Sequence, residues 1–400
     1  MGRYFTNDEY EAQFGRTLYA ALADSADLGE AVATADRIVA AGEDDAAWYR
    51  EWTATAEAVT ADAARSAAAG NRVDARAAHL RAAEYYRQAF YFHRDDLSCP
   101  ELETGYAAHR DAFQAALPSF DGDALAVAIP YEGTTLNGYL FRPDRSDERR
   151  PTIIAPAGYD STAEAGWVDE AAAALAHGCN CLTFEGPGQG GVLYEQGLVF
   201  RHDFEAVLTP VIDWLDQQPG VDPARHAVIG RSFAGYLAPR ALTVEHRPIA
   251  LVCDPVQLDF SDRLKRQFGD GWSRITDGDP TLEDELGFLL ADPARGQFFR
   301  LRMTTHGLTR ITDYFRELAR FSLRDGIGDI TAATLACSGE GDPADDGQLD
   351  EFVSLLTCPV AVRRFTVAEG AGGHCEGLGQ QRFTAAAYDF LTPILGLDAR

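Results

Sequence analysis

Residues 226–242 read HAVIGRSFAGYLAPRAL, and their character changes twice over this short span. His226–Gly230 is an apolar run that predicts a strand, and Ala234–Leu242 predicts a helix, with almost no chain left for the turn between them. A serine in so tight a strand-to-helix connection is held in strained geometry, so only small residues fit two positions before it and two after. Gly230 and Ala234 occupy those positions: the usual second glycine is alanine, and Gly235 follows directly. The turn also places Ser232 at a helix N-terminus, where backbone N–H groups can receive a developing oxyanion. Ser232 is the candidate nucleophile.

A serine hydroxyl needs a base to attack at neutral pH, and the base needs an acid to orient it. Both are expected downstream, at the ends of later strands. GEGDPADD follows the apolar run ATLACS and offers Asp342, with Asp345 and Asp346 as stand-ins. AEGAGGHCEGLG follows VAVRRFTV and puts His374 in a glycine-rich loop before the last helix. None of the other eight of the nine histidines has that address; those include His93 and His202, read as surface or packing residues. For the oxyanion, Phe233 supplies one N–H, and the loop PAGYDST supplies the second at Gly158 or Tyr159.

Outward from the elbow, short apolar strands alternate with helices. DALAVAIPYEGTTLNGYLFRP predicts a hairpin around Glu132-Gly133. PTIIAPAG, CNCLTFEG, ARHAVIG, PIALVCDP, ATLACSGEGD and PVAVRRFTV predict strands, with helices over 163–177 and 203–217. This rhythm implies a doubly wound, mostly parallel α/β sheet. It breaks between residues 256 and 331 into a charged, aromatic, helix-like insertion of the kind that makes a lid. Residues 1–120 are a separate texture, Ala-rich and helical, so the expected division is a helical cap over 1–120 and a catalytic domain over 121–400. Within the cap, Leu80, Tyr85, Tyr86, Phe90 and Phe92 gather on one segment, which either fills a bundle core or roofs a substrate pocket.

The chain has 400 residues and a formal charge of -27, which opposes binding to a phosphate backbone and argues against a nucleic-acid partner. Its basic residues are nearly all arginine, Lys265 being a rare lysine. Neither a secretory leader nor a membrane anchor is apparent, and seven cysteines without C-x-x-C pairs fit a reduced, cytoplasmic protein. Cys179 and Cys181 lack a matching His/Cys pair and read as buried small hydrophobes rather than half of a zinc site. GPGQGG after Glu185 lacks the Lys-Ser/Thr of a phosphate-binding loop and the spacing of a dinucleotide site, so it reads as a tight turn beside the pocket. Neither a zinc motif nor a nucleotide-binding motif is read from these residues.

Several of these pieces together resemble one branch of the α/β-hydrolases, that of 2,6-dihydroxypseudooxynicotine hydrolase and fungal hydrolases that shorten polyketide chains. They are GYDST, LTFEGPGQG, PVIDWLDQQPGVDP, GRSFAGYLAPRA, CDPVQLD, GEGDP and GGHCEGLGQQRF, with AAHLRAAEYYRQAFYF ahead of them. The resemblance implies an α/β-hydrolase fold under a helical cap, often as a homodimer, without cofactor. It implies a small-molecule substrate cleaved at a carbon-carbon bond beside a ketone, or at an ester or related acyl bond. Acyl transfer or cyclisation, amide or peptide cleavage, and a non-catalytic ligand-binding role stand as alternatives. Ala234 and the long acidic insertion are where this chain departs from the branch.

Overall fold

The computed structural model describes residues 3–397. Eight strands form one sheet in the order β1-β2-β4-β3-β5-β6-β7-β8. They are β1 Asp123–Tyr131, β2 Thr134–Arg142, β3 Arg150–Pro156, β4 Asn180–Phe184, β5 Val221–Arg231, β6 Ala250–Asp254, β7 Ala333–Gly339 and β8 Val360–Phe365. β1, β2 and β4 pair antiparallel, and every pairing from β4 through β3 to β8 is parallel. The chain therefore has the α/β-hydrolase fold, a mostly parallel sheet flanked by helices. The β1–β2 hairpin turns at Glu132 and Gly133, both with positive φ, 39° and 84°, the pair of left-handed residues that a two-residue hairpin turn requires.

Period-2 alternation in the central strands feeds two cores. Ile153, Ala227, Ile229, Val252 and Leu335 face one apolar layer, while their neighbours Ile154, Val228, Leu251, Cys253 and Ala336 face the other. Helices Glu205–Leu215 and Ala234–Leu242 cover the second face. The final helix Gln380–Leu395 covers the first. Cys181 lies in that first layer as a small hydrophobe.

Helices from Asp8–Ala20 to Pro100–Ala116 precede the sheet. Their aromatic residues are spent on packing: Leu80, Tyr85, Phe90 and Phe92 are each at most 5% exposed. Trp48 is fully buried beside Phe92 and donates its indole N–H to the Gln88 carbonyl at 2.7 Å. The segment 73–93 thus fills a bundle core rather than roofing a pocket. This core is continuous, through Phe113 and Phe120, with Tyr139 and Phe141 of the sheet.

The predicted helix over 163–177 starts late, as a π-turn at Trp167–Ala171 followed by Ala172–Ala176. The residues before it are bound elsewhere. Thr162 meets His109 at 2.9 Å, and Glu164 accepts the Tyr139 hydroxyl at 2.8 Å. Side chains committed to the bundle and to β2 pull that stretch away from helix geometry. Residues 256–331 form several short helices with a small core of their own, including Ile275, Met303, Ile311 and Phe315. Thr304 and Gln297 bond this insertion to Asp95 and Asp45 of the first helices.

Candidate active site

β5 ends at Arg231, Ser232 has φ 55°, and the helix begins at Ala234. A non-glycine residue in this left-handed region is strained and persists only where its surroundings over-determine it. They do so here: the Ser232 N–H donates to the Asp254 carbonyl at 2.7 Å, and the Ser232 carbonyl accepts from Gly235 at 2.9 Å and from Gln257 at 3.3 Å. The packing around the turn leaves no spare volume. A β-carbon on Gly230 would lie 2.1 Å from the Ala234 carbonyl oxygen, and one on Gly235 would lie 2.1 Å from that of Pro255. Ala234 itself is fully buried without conflict. The small residue this elbow demands on its helical side is therefore Gly235, which accounts for the alanine before it.

Ser232, His374 and Asp342 come together although far apart in the chain. His374 Nε2 lies 2.8 Å from Ser232 Oγ, and its Nδ1 lies 2.8 Å from Asp342 Oδ1. An ionised Asp342 can only accept, so Nδ1 carries the proton and Nε2 presents a lone pair to the serine hydroxyl. Asp342 is held by the Ala344 N–H at 2.7 Å and the Cys375 N–H at 3.3 Å. Its side chain is 1% exposed, against 28% for that of His374. Asp345 and Asp346 are elsewhere: Asp345 accepts the Gly347 N–H, and Asp346 pairs with Arg263 and Arg266.

The loop carrying Gly158 and Tyr159 passes directly over the elbow. A β-carbon on Gly158 would sit 3.2 Å from Ser232 Cβ and 3.7 Å from its Oγ. The Tyr159 ring lies tilted against that of Phe233, with centroids 4.7 Å apart. Among the described residues the backbone N–H groups of Phe233 and Tyr159 have no acceptor within the chain, so both remain available to an oxyanion.

Sequence reasoning missed what holds this loop. Gln189, read only as part of a tight turn, accepts the Gly186 N–H at 2.6 Å and donates to the carbonyls of Ala157 and Gly158. Buried Glu185 accepts the N–H groups of Ala163 and Gly191 at 3.1 and 2.8 Å. On the other side, burial alone would raise the Asp160 carboxyl, but Arg16 and Arg94, with the Tyr91 hydroxyl donating, hold it well below the usual range. The signal was the run of buried polar residues inside apolar strand ends, whose partners lie too far away in sequence to be read.

A second unread feature lies beneath the elbow. The Arg231 guanidinium faces Asp254 at 3.3 Å, Glu376 at 3.5 Å and Glu170 at 3.9 Å, donates to the Cys375 carbonyl at 2.8 Å, and lies over the Phe383 ring. One cation does not neutralise three carboxylates. Burial, with the neighbouring Asp254 charge, pushes Glu376 up to about 11, and burial pushes Glu170 up to about 8. Glu376 is thus the protonated member of a carboxyl–carboxylate contact with Asp254. Among the described residues, two groups have metal-ligand atoms within 4.8 Å of one another, namely Asp342, His374 and Cys375, and His93, Cys99 and Glu101. In the first, Asp342 and His374 are already engaged with each other and with Ser232.

A hydroxyl on a strained elbow, an imidazole–carboxylate pair and two free N–H groups on an α/β-hydrolase sheet define a hydrolase of that fold class. The esterase FrsA-like family matches residues 30–257, and the chain belongs to that family. It is 32% identical over 296 residues to the hydrolyase poxO of Penicillium oxalicum, covering 70% of each chain. It is 32% identical to the α/β hydrolase xenA of Xenoacremonium sinensis, covering 82% of this chain and 80% of the relative. Among solved structures it resembles the 2,6-dihydroxy-pseudo-oxynicotine hydrolase, with a TM-score of 0.74 at 20% identity over 94% and 95% of the two chains. The chain is an α/β-hydrolase enzyme of the branch its motifs resemble. No helix among the described residues is long and apolar enough to cross a membrane.

Proposed function

We propose that the protein is a serine hydrolase that cleaves a carbon-carbon bond next to a ketone, or an ester bond, of a small, flat, polyketide-like or aromatic substrate through an acyl-serine. The observation that carries this reading is the unbroken hydrogen-bonded line from Ser232 through His374 to Asp342, at 2.8 Å in each step. His374 Nε2 takes the Ser232 proton as Oγ bonds to the substrate carbonyl carbon, and the carbonyl π pair moves to oxygen under the N–H groups of Phe233 and Tyr159. Collapse restores the C=O bond and expels the leaving group with its electron pair. His374 returns the proton to that oxygen or carbon. Water, deprotonated by His374, then attacks the acyl-serine, releasing a carboxylic acid and regenerating the hydroxyl.

For carbon-carbon cleavage the departing carbanion must be an enolate or similarly delocalised, as from a β-diketone or an acylated phenol. In this reading residues 1–120 act as a cap and 256–331 as a lid, and the protein works in the cytoplasm, as a homodimer. One relative, from Gibberella moniliformis, is named a 20-hydroxy-prefusarin hydrolase, which supports a small-molecule, polyketide-like substrate. Ser232→Ala should abolish turnover of an ester and β-diketone panel while leaving the melting temperature unchanged; undiminished turnover overturns the assignment. Incorporation of heavy oxygen from labelled water into the acid product separates hydrolysis from acyl transfer.

A further inference from the structure

The last turns of helix Pro293–Thr305 and the residue after it carry Arg302 and His306, four positions apart and so on one face. That face packs on Tyr159, the residue offering the second oxyanion N–H. The Arg302 guanidinium lies 4.2 Å from the Tyr159 ring centroid and 4.5 Å from that of Phe298. His306 stands 5.8 Å from the Tyr159 ring and 5.3 Å from Phe200, which itself meets Phe233 at 4.8 Å.

Both polar groups lack what buried polar groups normally have. Among the described residues no carboxylate lies within ion-pair distance of Arg302; its near neighbours are the two rings and the Tyr159 hydroxyl, and the Asp160 charge and Tyr314 act on it from further off. His306 is 6% exposed, and neither ring nitrogen has a hydrogen-bond partner. Burial, with Arg302 adding to it, pushes the imidazole down to about 3, so it is neutral, with one donor and one acceptor unused. Partly buried cations without a direct ion pair and buried imidazoles without partners cost free energy, and natural structures seldom keep them without a use. Here they occur side by side, in a chain whose formal charge is -27, one aromatic ring away from the nucleophile.

We infer that Arg302 and His306 form a substrate subsite for an anionic oxygen, a carboxylate or the enolate of a 1,3-dicarbonyl, on a flat conjugated body lying against Tyr159. This deepens the proposed function and rests on it. Arg302 would pair with the charged oxygen, His306 would bond a neighbouring carbonyl or hydroxyl, and the aromatic walls would hold the conjugated plane. A neutral substrate of equal size would leave the guanidinium unpaired.

The test is calorimetric binding to the Ser232→Ala protein, using the mono-anilide of octanedioic acid and its neutral carboxamide counterpart as probes. The acid should bind about tenfold or more tightly than the amide, as one charge-assisted hydrogen bond provides, and added salt should narrow the difference. Arg302→Gln should erase that preference while leaving the amide's affinity alone, and Arg302→Lys should keep part of it. Equal affinity for the two probes, including no measurable binding of either, overturns the subsite, as does a preference that survives Arg302→Gln. Failure of the serine assignment would show separately, as turnover persisting in Ser232→Ala.

Discussion

Asp254 holds the Ser232 turn from two sides: its carbonyl accepts the Ser232 N–H at 2.7 Å, while its carboxylate faces the Arg231 guanidinium at 3.3 Å. Arg231 in turn donates to the carbonyl of Cys375, the residue after His374. Cys375 and Glu376 both have positive φ, 46° and 61°, so the histidine loop is strained and depends on this clasp. Replacing Arg231 with Leu would leave the buried Asp254 carboxylate without its cation, and the expected loss is about 3–5 kcal/mol of stability, measured by urea unfolding.

The same clasp sets a pH dependence. Glu376 and Glu170 ionise near 4.5 when unfolded, but in the folded protein burial lifts them to about 11 and about 8. Above about pH 4.5 the folded state therefore binds more protons than the unfolded one. The contribution of these two groups to stability is fullest below that pH and is lost as pH rises toward the folded values. Glu376→Gln keeps a neutral group that can donate to Asp254, so its unfolding free energy should decline less between mildly acidic and mildly alkaline pH than the parent's. A decline of equal slope would show that Glu376 does not hold the proton.

The two small positions of the elbow should respond very unequally. Gly230→Ala drives a methyl into the Ala234 carbonyl, and the expected outcome is loss of soluble protein or of more than about 3 kcal/mol. Ala234→Gly restores the commoner residue at a cost of about 1 kcal/mol, from the lower helix propensity of glycine, with turnover retained. Thermal melting and ester hydrolysis read both.

Much of the sheet and of the candidate site was legible because the signals are local. The alternating strands, the Glu132-Gly133 hairpin turn and the glycine-flanked Ser232 each announce themselves within a few residues. Asp342 and His374 could be named because each follows a recognisable strand and the fold fixes which strand ends meet. Arg231, Glu170 and Glu376 could not, since a charged residue looks solvated until tertiary structure buries it. Arg302 and His306 lie in an insertion without strand or motif to give them an address, and the aromatic run at 80–92 looked like a pocket wall because periodicity alone does not say what a face packs against.

Asp342 and its neighbours offer a sharp internal control. Asp342→Asn should leave the fold intact but remove the acceptor that fixes the His374 tautomer, lowering kcat by about a thousandfold or more. Asp345→Asn and Asp346→Asn, whose side chains bond a turn amide and surface arginines, should lower it less than about twofold. Steady-state kinetics on one ester distinguishes them.

Gln189 tests the oxyanion loop. Gln189→Ala removes the bonds to the Gly158 and Ala157 carbonyls, and kcat should fall roughly ten- to a hundredfold with little change in KM, because a loosened donor is felt mainly in the transition state.

The most direct examination of the central claim is intact-mass and peptide mapping after exposure to a fluorophosphonate. A single adduct on the peptide carrying Ser232, formed quickly by the parent, slowly by His374→Ala and not at all by Ser232→Ala, is the expected result. An unmodified parent protein, or an adduct on another residue, would contradict it.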